Sequence, residues 1–162
     1  MKKVGILSDT HGVDDPAIAL HFAEMDEIWH AGDIGDVETY KRLVGIAPVF
    51  RAVAGNIDGA MLRRVCPELL VFETEGIKVV MTHIGGYPGR YSRGIASILQ
   101  SERPRIFVSG HSHILKVMPD PELDLLHINP GAAGRHGWQK FRTLVRLTID
   151  EGIPKNLEVI HL

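Results

Sequence analysis

Five apolar runs in this chain end in residues of the types that ligate metals. They read VGILSDTH, ending at Asp9 and His11, IWHAGD at Asp33, FRAVAGN at Asn56, KVVMTH at His83, and IFVSGHSH at His111 and His113. Uninterrupted apolar runs of this length suit strands covered on both faces, and in open α/β sheets sites form beyond the carboxyl ends of strands. If these strands share a sheet edge, seven side chains converge on one place. Taken alone, each is ordinary. An Asp after a strand is usually a turn or cap residue, an Asn after Gly is usually a turn, and His-x-His recurs in proteins without metal. Their joint occurrence at five strand ends is what the ordinary reading fails to produce.

The rest of the chain supplies the frame. Asp15-Pro16 reads as an N-cap followed by proline at the first helical position, opening a helix to about Met25. Glu27 to Ala31 reads as a strand, Asp36 caps a helix through Val44, and Pro48 to Ala54 forms a third strand. Leu69 to Thr74 and Ile77 to Thr82 flank Glu75-Gly76, a hairpin pattern. A helix from roughly Ser92 to Glu102 stops before Pro104, and Ile106 to Ser109 is the next strand. Four short strand segments close the chain: Leu115–Met118, Leu125–Ile128, Thr143–Ile149 and Leu157–His161. Strand and helix alternate first, and the last third is mostly strand. The pattern predicts an α/β fold, a four-layer α/β/β/α sandwich of two mixed β-sheets flanked by helices.

No repeat or low-complexity linker interrupts the 162 residues, so a single domain spanning 1–162 is expected, with about 70% of the unfolded surface buried at this size. A net charge of −2 offers no global basic field for nucleic acid or an anionic membrane. It still admits a small phosphorylated substrate, because bound metal supplies local positive charge that composition does not count. The single cysteine, Cys66, forms no internal disulfide and is expected as a buried small residue. The apolar run after Lys2 and Lys3 is too short for a signal peptide, and no stretch approaches the roughly 20 apolar residues of a membrane span. A cytoplasmic protein is the expectation; oligomeric state stays open, a homo-oligomer included.

The seven side chains also suit one chemistry. Two carboxylates, an Asn carbonyl and four imidazoles form a mixed oxygen and nitrogen set without thiolate. Such a set favours Mn²⁺, Fe, Zn²⁺, Ni²⁺ or Co²⁺ over Ca²⁺ and Mg²⁺, which prefer oxygen shells. Seven ligands exceed the three of one catalytic zinc and suffice for two metals if one carboxylate bridges.

At this point the residues carry a family resemblance. Asp9-Thr10-His11, Gly32-Asp33, Gly55-Asn56, Thr82-His83 and Gly110-His111-Ser112-His113 occur in the order of the calcineurin-like metallophosphoesterase motifs. Asn129-Pro130-Gly131 resembles the segment that follows the last motif in the small YfcE-type phosphodiesterases. The resemblance implies the sandwich fold and two divalent metals, Mn²⁺ foremost. One metal would lie on Asp9, His11, Asp33 and His113, the other on Asp33, Asn56, His83 and His111, with Asp33 bridging. It implies hydrolysis of a small phosphodiester by a metal-bridging hydroxide. The alternatives are a phosphomonoesterase acting on a nucleotide or small phosphate, and a Vps29-like non-catalytic scaffold on the same fold.

The chain departs from the wider family at one place. Many members carry a histidine after the Gly-Asn motif that protonates the leaving group; here that position is Ile57, and isoleucine transfers no proton. Asp58 keeps the family's acidic position, as a support for the ligands or as an exposed turn residue. Arg90 and Arg93 are candidates to bind a phosphate oxygen or the distal part of the substrate, against a reading as solvated loop arginines. Tyr87 and Tyr91 are candidates to stack on a base or simply to pack. His30 and His127 lie within strands, as core or supporting histidines, and Arg135-His136-Gly137-Trp138 is a candidate pocket rim.

Overall fold

A computed structural model describes residues 1–162. Its elements in chain order are β1 (Lys2–Leu7), α1 (Pro16–Phe22), β2 (Glu27–His30), α2 (Val37–Val44), β3 (Val49–Ala52), α3 (Ala60–Val65), β4 (Leu69–Thr74) and β5 (Ile77–Thr82). There follow β6 (Gly86–Tyr87), β7 (Arg90–Tyr91), α4 (Ile95–Glu102), β8 (Ile106–Val108), β9 (Leu115–Asp120), β10 (Leu125–Pro130), β11 (Thr143–Asp150) and β12 (Ile153–His161). No helix is long and apolar enough to cross a membrane.

The strands form two five-stranded mixed sheets, β12-β11-β1-β2-β3 and β4-β5-β8-β10-β9, with β6-β7 as a separate small hairpin. In the first sheet β1, β2 and β3 run parallel and β11 antiparallel to β1. In the second, β5, β8 and β10 run parallel, with β4 and β9 antiparallel at the edges. The strands that carry the apolar runs are therefore all parallel ones, interior except for β3 at the edge of the first sheet. Their alternate residues sort into two cores, since successive side chains leave a strand on opposite faces. Val4, Ile6 and Trp29 meet Val79, Met81 and Ile106 between the sheets. On the far face of the first sheet, Leu7, Ile28 and Leu144 pack against Ile18 and Phe22 of α1 and Leu43 of α2. On the far face of the second, Val80 and Phe107 pack against Ile95 and Leu99 of α4. These are the four layers expected from the alternation of strand and helix.

Local chemistry sets the element ends. The Asp15 carboxylate accepts from the Ala17 amide at 3.0 Å and caps α1, with Pro16 pre-set for the first turn. Asp36 caps α2 through the Thr39 amide at 2.7 Å. Glu75 and Gly76 both take positive φ (46° and 81°), the pair of left-handed residues a two-residue type I′ hairpin needs. Gly5 lacks a side chain because a Cβ there would lie 2.8 Å from the Phe22 ring, which lets α1 seat closely on the sheet. Two elements escaped the sequence pattern. α3 is six residues long with Gly59 at its cap and no side-chain cap bond, and β6-β7 is too short to show a period. α1 and α4 are shorter than their patterns suggested, and β12 longer.

The end of the sandwich away from the candidate ligands is tied by a buried charge. Glu27, fully buried at the start of β2, accepts from Lys2 Nζ at 2.8 Å, Trp29 Nε1 at 3.0 Å, Arg51 Nε at 3.3 Å and Thr74 Oγ1 at 2.7 Å. Thr74 belongs to the opposite sheet, so the carboxylate links the two. Burial pushes its pKa up, but the four donors outweigh it and hold the group at about 2. A carboxyl group with a depressed folded pKa stabilises the protein above its unfolded pKa and loses that contribution as pH falls. We expect denaturation midpoints to drop between about pH 4.5 and pH 2, and Glu27→Gln to remove on the order of 2 kcal/mol at neutral pH while flattening that segment of the stability profile. An unchanged profile in Glu27→Gln would disprove the link.

Candidate metal centre

All seven predicted side chains meet at one place. The sequence pattern anticipated a single sheet edge; the structure shows the facing edges of both sheets. Asp9, His11, Asp33 and Asn56 follow β1, β2 and β3 of the first sheet, and His83, His111 and His113 follow β5 and β8 of the second. Two groups have ligand atoms all within 4.8 Å of one another: Asp9, His11 and His113, and Asp33, His83 and His111. Asp33 Oδ2 stands between the groups, 3.4 Å from His11 Nε2 and 3.2 Å from His83 Nε2. His113 Nε2 lies 3.0 Å from Asp9 Oδ1, and Asn56 Oδ1 lies 3.0 Å from His111 Nδ1 at the solvent-facing side.

Backbone strain is concentrated here. Asp9, His11, Asp33, His111 and His113 have φ of 53°, 45°, 56°, 71° and 61°, the left-handed region that costs a non-glycine residue roughly 1–2 kcal/mol. The turns let the chain reverse at the sheet edge while two ligands two residues apart point the same way. Hydrogen bonds between loops hold them. Asp9 and His11 amides donate to the Gly32 and Asp33 carbonyls, both at 3.0 Å, and the Gly110 amide donates to the His83 carbonyl at 2.9 Å. Gly55 and Gly110 sit where a Cβ would collide with the Asp33 carboxylate and with Ser8 Oγ, so no other residue fits.

The remaining atoms of Asp9, Asp33, His83 and His113 are fixed by partners. Asp9 Oδ2 accepts from Ser8 Oγ at 2.6 Å and from the His111 amide at 3.1 Å. Asp33 Oδ1 accepts from the Ile57 amide at 3.0 Å. His83 Nδ1 donates to the Ala31 carbonyl at 2.7 Å, which leaves Nε2 as the free lone pair. His113 Nδ1 donates to Gln139 Oε1 at 2.9 Å, and Gln139 Nε2 in turn donates to the Gly134 and His136 carbonyls. The loops have supports as well. Asp58 is buried and accepts from the Ile34, Gly35 and Gly55 amides at 3.2, 2.9 and 2.8 Å. Arg63 of α3 donates to the Asp58 and Gly55 carbonyls, both at 2.8 Å. His30, held neutral by burial with a pKa of about 3, accepts from the Gly32 amide and donates to Thr10 Oγ1 at 2.9 Å. Asn129 donates to the Gly110 carbonyl and Ser112 Oγ.

What is left over tests the fit to metal. Asp9 Oδ1, His11 Nε2 and His83 Nε2 are buried and have no hydrogen-bond partner. Each is the atom turned toward the shared space. Unsatisfied buried polar atoms are rare and costly in proteins, so three around one point fit positive charge supplied from outside the chain. Burial lowers the pKa of His11, against the pull of Asp33 and Asp9. Burial also opposes charge on His83, but Asp33 outweighs it and raises its pKa, and the same contact holds Asp33 below the usual carboxylate range. The donors are oxygen and imidazole nitrogen, a set that suits first-row divalent cations.

The comparisons agree with this geometry. The family model of the calcineurin-like phosphoesterase superfamily domain matches residues 1–152. The chain belongs to that superfamily. It is 32% identical over 135 residues to a probable metallophosphoesterase of Methanocaldococcus jannaschii, covering 80% of this chain and 67% of the relative. Among solved structures it resembles a novel archaeal phosphodiesterase at TM-score 0.75 and 21% identity, with 99% of both chains covered. It also resembles zinc-complexed Vps29 of Entamoeba histolytica at TM-score 0.74 and 18% identity, with 98% of both covered. Membership makes the chain a hydrolase of the phosphoesterase superfamily with two groups of potential metal ligands.

Not every candidate reaches the centre. Arg90 and Arg93 are exposed on and beside β7, and neither lines the cleft over the paired ligands or the cavity next to it. Tyr91 packs on Phe107 and donates to Asp120 at 2.6 Å, a structural role. His136, Gly137 and Trp138 line the cleft as its rim, His136 stacked on the His11 ring at 4.8 Å. Cys66 is buried, as expected. Gln139 and Arg63 had no signal in the sequence, since a loop Gln and a helical Arg occur everywhere. Gln139 yields a test. Gln139→Leu removes the acceptor that orients His113, so affinity for Mn²⁺ in calorimetric titration should fall about 10–100-fold, with Gln139→Glu retaining most of it. Equal affinity in Gln139→Leu would show that the contact does not position the ligand.

Proposed function

We propose that the protein is a dinuclear metal-dependent phosphodiesterase, with Asp9, His11, Asp33 and His113 on one metal and Asp33, Asn56, His83 and His111 on the other. The observation that carries the reading is the trio of buried, unpartnered ligand atoms around Asp33 Oδ2, on a fold shared with an archaeal phosphodiesterase. Two divalent cations in these groups, Mn²⁺ foremost, would polarise the phosphoryl oxygens and lower the pKa of a water for in-line attack. The chain's own share is positional. Ser8, the His111 amide and the Ile57 amide fix the carboxylates, while Ala31 and Gln139 fix the tautomers of His83 and His113. Asn56 and His111 form the open side by which substrate enters. The test is hydrolysis of bis-p-nitrophenyl phosphate against p-nitrophenyl phosphate, with and without Mn²⁺. The diester should be cleaved faster, only with metal, and Asp33→Asn should lose nearly all activity. Activity within about tenfold in Asp33→Asn, a barrier change of only about 1.4 kcal/mol, would refute the bridging role. Preference for the monoester would support a phosphomonoesterase, and no turnover by metal-loaded protein a scaffold.

Ile57 defines the substrate's leaving group. Its backbone holds Asp33 and its side chain lines the cleft, exposed, where the wider family has a proton donor. Leaving groups therefore depart largely unprotonated. The rate should depend steeply on leaving-group pKa, because general-acid help is worth about 10²–10⁴-fold and is missing for alkoxides. A series of aryl and alkyl diesters measures this. Ile57→His should gain most on the poorest leaving groups. A flat series in the wild type would mean that another acid already serves.

A further inference from the structure

A second cavity adjoins the cleft, and of the seven candidate ligands only His111 borders it. It has a volume of about 210 Å³ and shares His111, Ser112 and Ile114 with the cleft, so the two spaces meet across the loop that follows β8. Its wall also includes Ile84, Gly85, Gly86 and Tyr87 of the loop after His83, Lys116 of β9, and His127 and Asn129 of β10. The Lys116 ammonium lies 3.9 Å from the centre of the Tyr87 ring, joining the β6-β7 hairpin to β9 as one side of the cavity. No Asp or Glu lines it, so the ammonium faces the space without a counter-charge. His127, almost wholly buried, shares a hydrogen bond between Nε2 and Ser109 Oγ at 3.0 Å, and its Nδ1 has no partner. Burial, with Lys116 nearby, lowers its pKa to about 4, so the ring is neutral.

We propose that this cavity is the subsite for the base-bearing arm of a nucleotide diester, with Tyr87 as its aromatic platform and Lys116 as the partner of a second anionic group. The proposal rests on the phosphodiesterase reading and names its substrate class. Three features point the same way. The apolar surfaces of Ile84, Tyr87 and Ile114 fit a flat ring. His127 lines the same wall with a neutral ring, a polar edge that suits a base better than a hydrocarbon ring. The Lys116 ammonium, with no carboxylate along the cavity wall, suits negative charge beyond the phosphate being cleaved. The volume is smaller than the roughly 300–1,000 Å³ of pockets that enclose a whole ligand, so it admits one arm and leaves the scissile phosphate over the paired ligands.

The probes are adenosine 5′-monophosphate, ribose 5-phosphate and inorganic phosphate, titrated calorimetrically into Mn²⁺-loaded protein. The nucleotide should bind more tightly than ribose 5-phosphate by at least about fivefold, the lower end of what base stacking supplies. Tyr87→Ala should erase that advantage, and Lys116→Glu should weaken the nucleotide more than inorganic phosphate. Both residues are partly exposed, and circular dichroism checks that the variants fold. Equal binding of nucleotide and ribose 5-phosphate, or an advantage that survives Tyr87→Ala, would overturn the subsite. Hydrolysis of bis-p-nitrophenyl phosphate in the same preparation separates this from the broader reading. Activity without base preference removes the subsite alone; base preference without activity supports the subsite and removes the phosphodiesterase assignment.

Discussion

Two carboxylates and two imidazoles, buried at the facing edges of two sheets with their free atoms turned on one another, dominate this molecule. Asp9 Oδ1, His11 Nε2 and His83 Nε2 have no hydrogen-bond partner, and Asp33 Oδ2 faces both histidines. Ionised groups buried without compensation cost several kcal/mol each, and a chain that packs them together needs opposing charge. Much of the surrounding structure serves to keep these atoms unpaired and aligned.

That service explains features otherwise hard to account for. Left-handed backbone at five non-glycine ligands is unfavourable locally, yet inter-loop hydrogen bonds hold it in place, and Gly55 and Gly110 leave room for the carboxylates. Buried Asp58 ties the loop after β3 to that after β2, neutral His30 ties the loops after β1 and β2, and Asn129 ties the loop after β8 to β10. At the opposite end, Glu27 ties the sheets through Thr74. The sandwich is thus pinned by polar contacts at both ends, with the apolar core between them.

The legible parts of the fold were those written in side-chain type. Long apolar runs in the parallel strands, Asp15-Pro16 and Asp36 at helix starts, and Glu75-Gly76 at the hairpin all act through the residues themselves. α3 begins at a glycine with no cap bond, and β6-β7 pairs only two residues a side, so neither left a pattern. The site was legible because ligand types are scarce after apolar runs. Its supports were less so. Asp58 kept two readings until the structure showed it buried on three amides, and Gln139 and Arg63 act through contacts that depend on tertiary position. Arg90 and Arg93 had the right chemistry for phosphate, but the hairpin leaves them off both cavities.

The central claim is that these unpaired atoms form a two-metal centre. Anomalous scattering from Mn²⁺-loaded crystals tests it most directly. Two peaks per chain are predicted, one among Asp9, His11 and His113, the other among Asp33, His83 and His111, with Asp33 touching both. A single peak at full loading, or peaks on residues outside this set, would contradict the account.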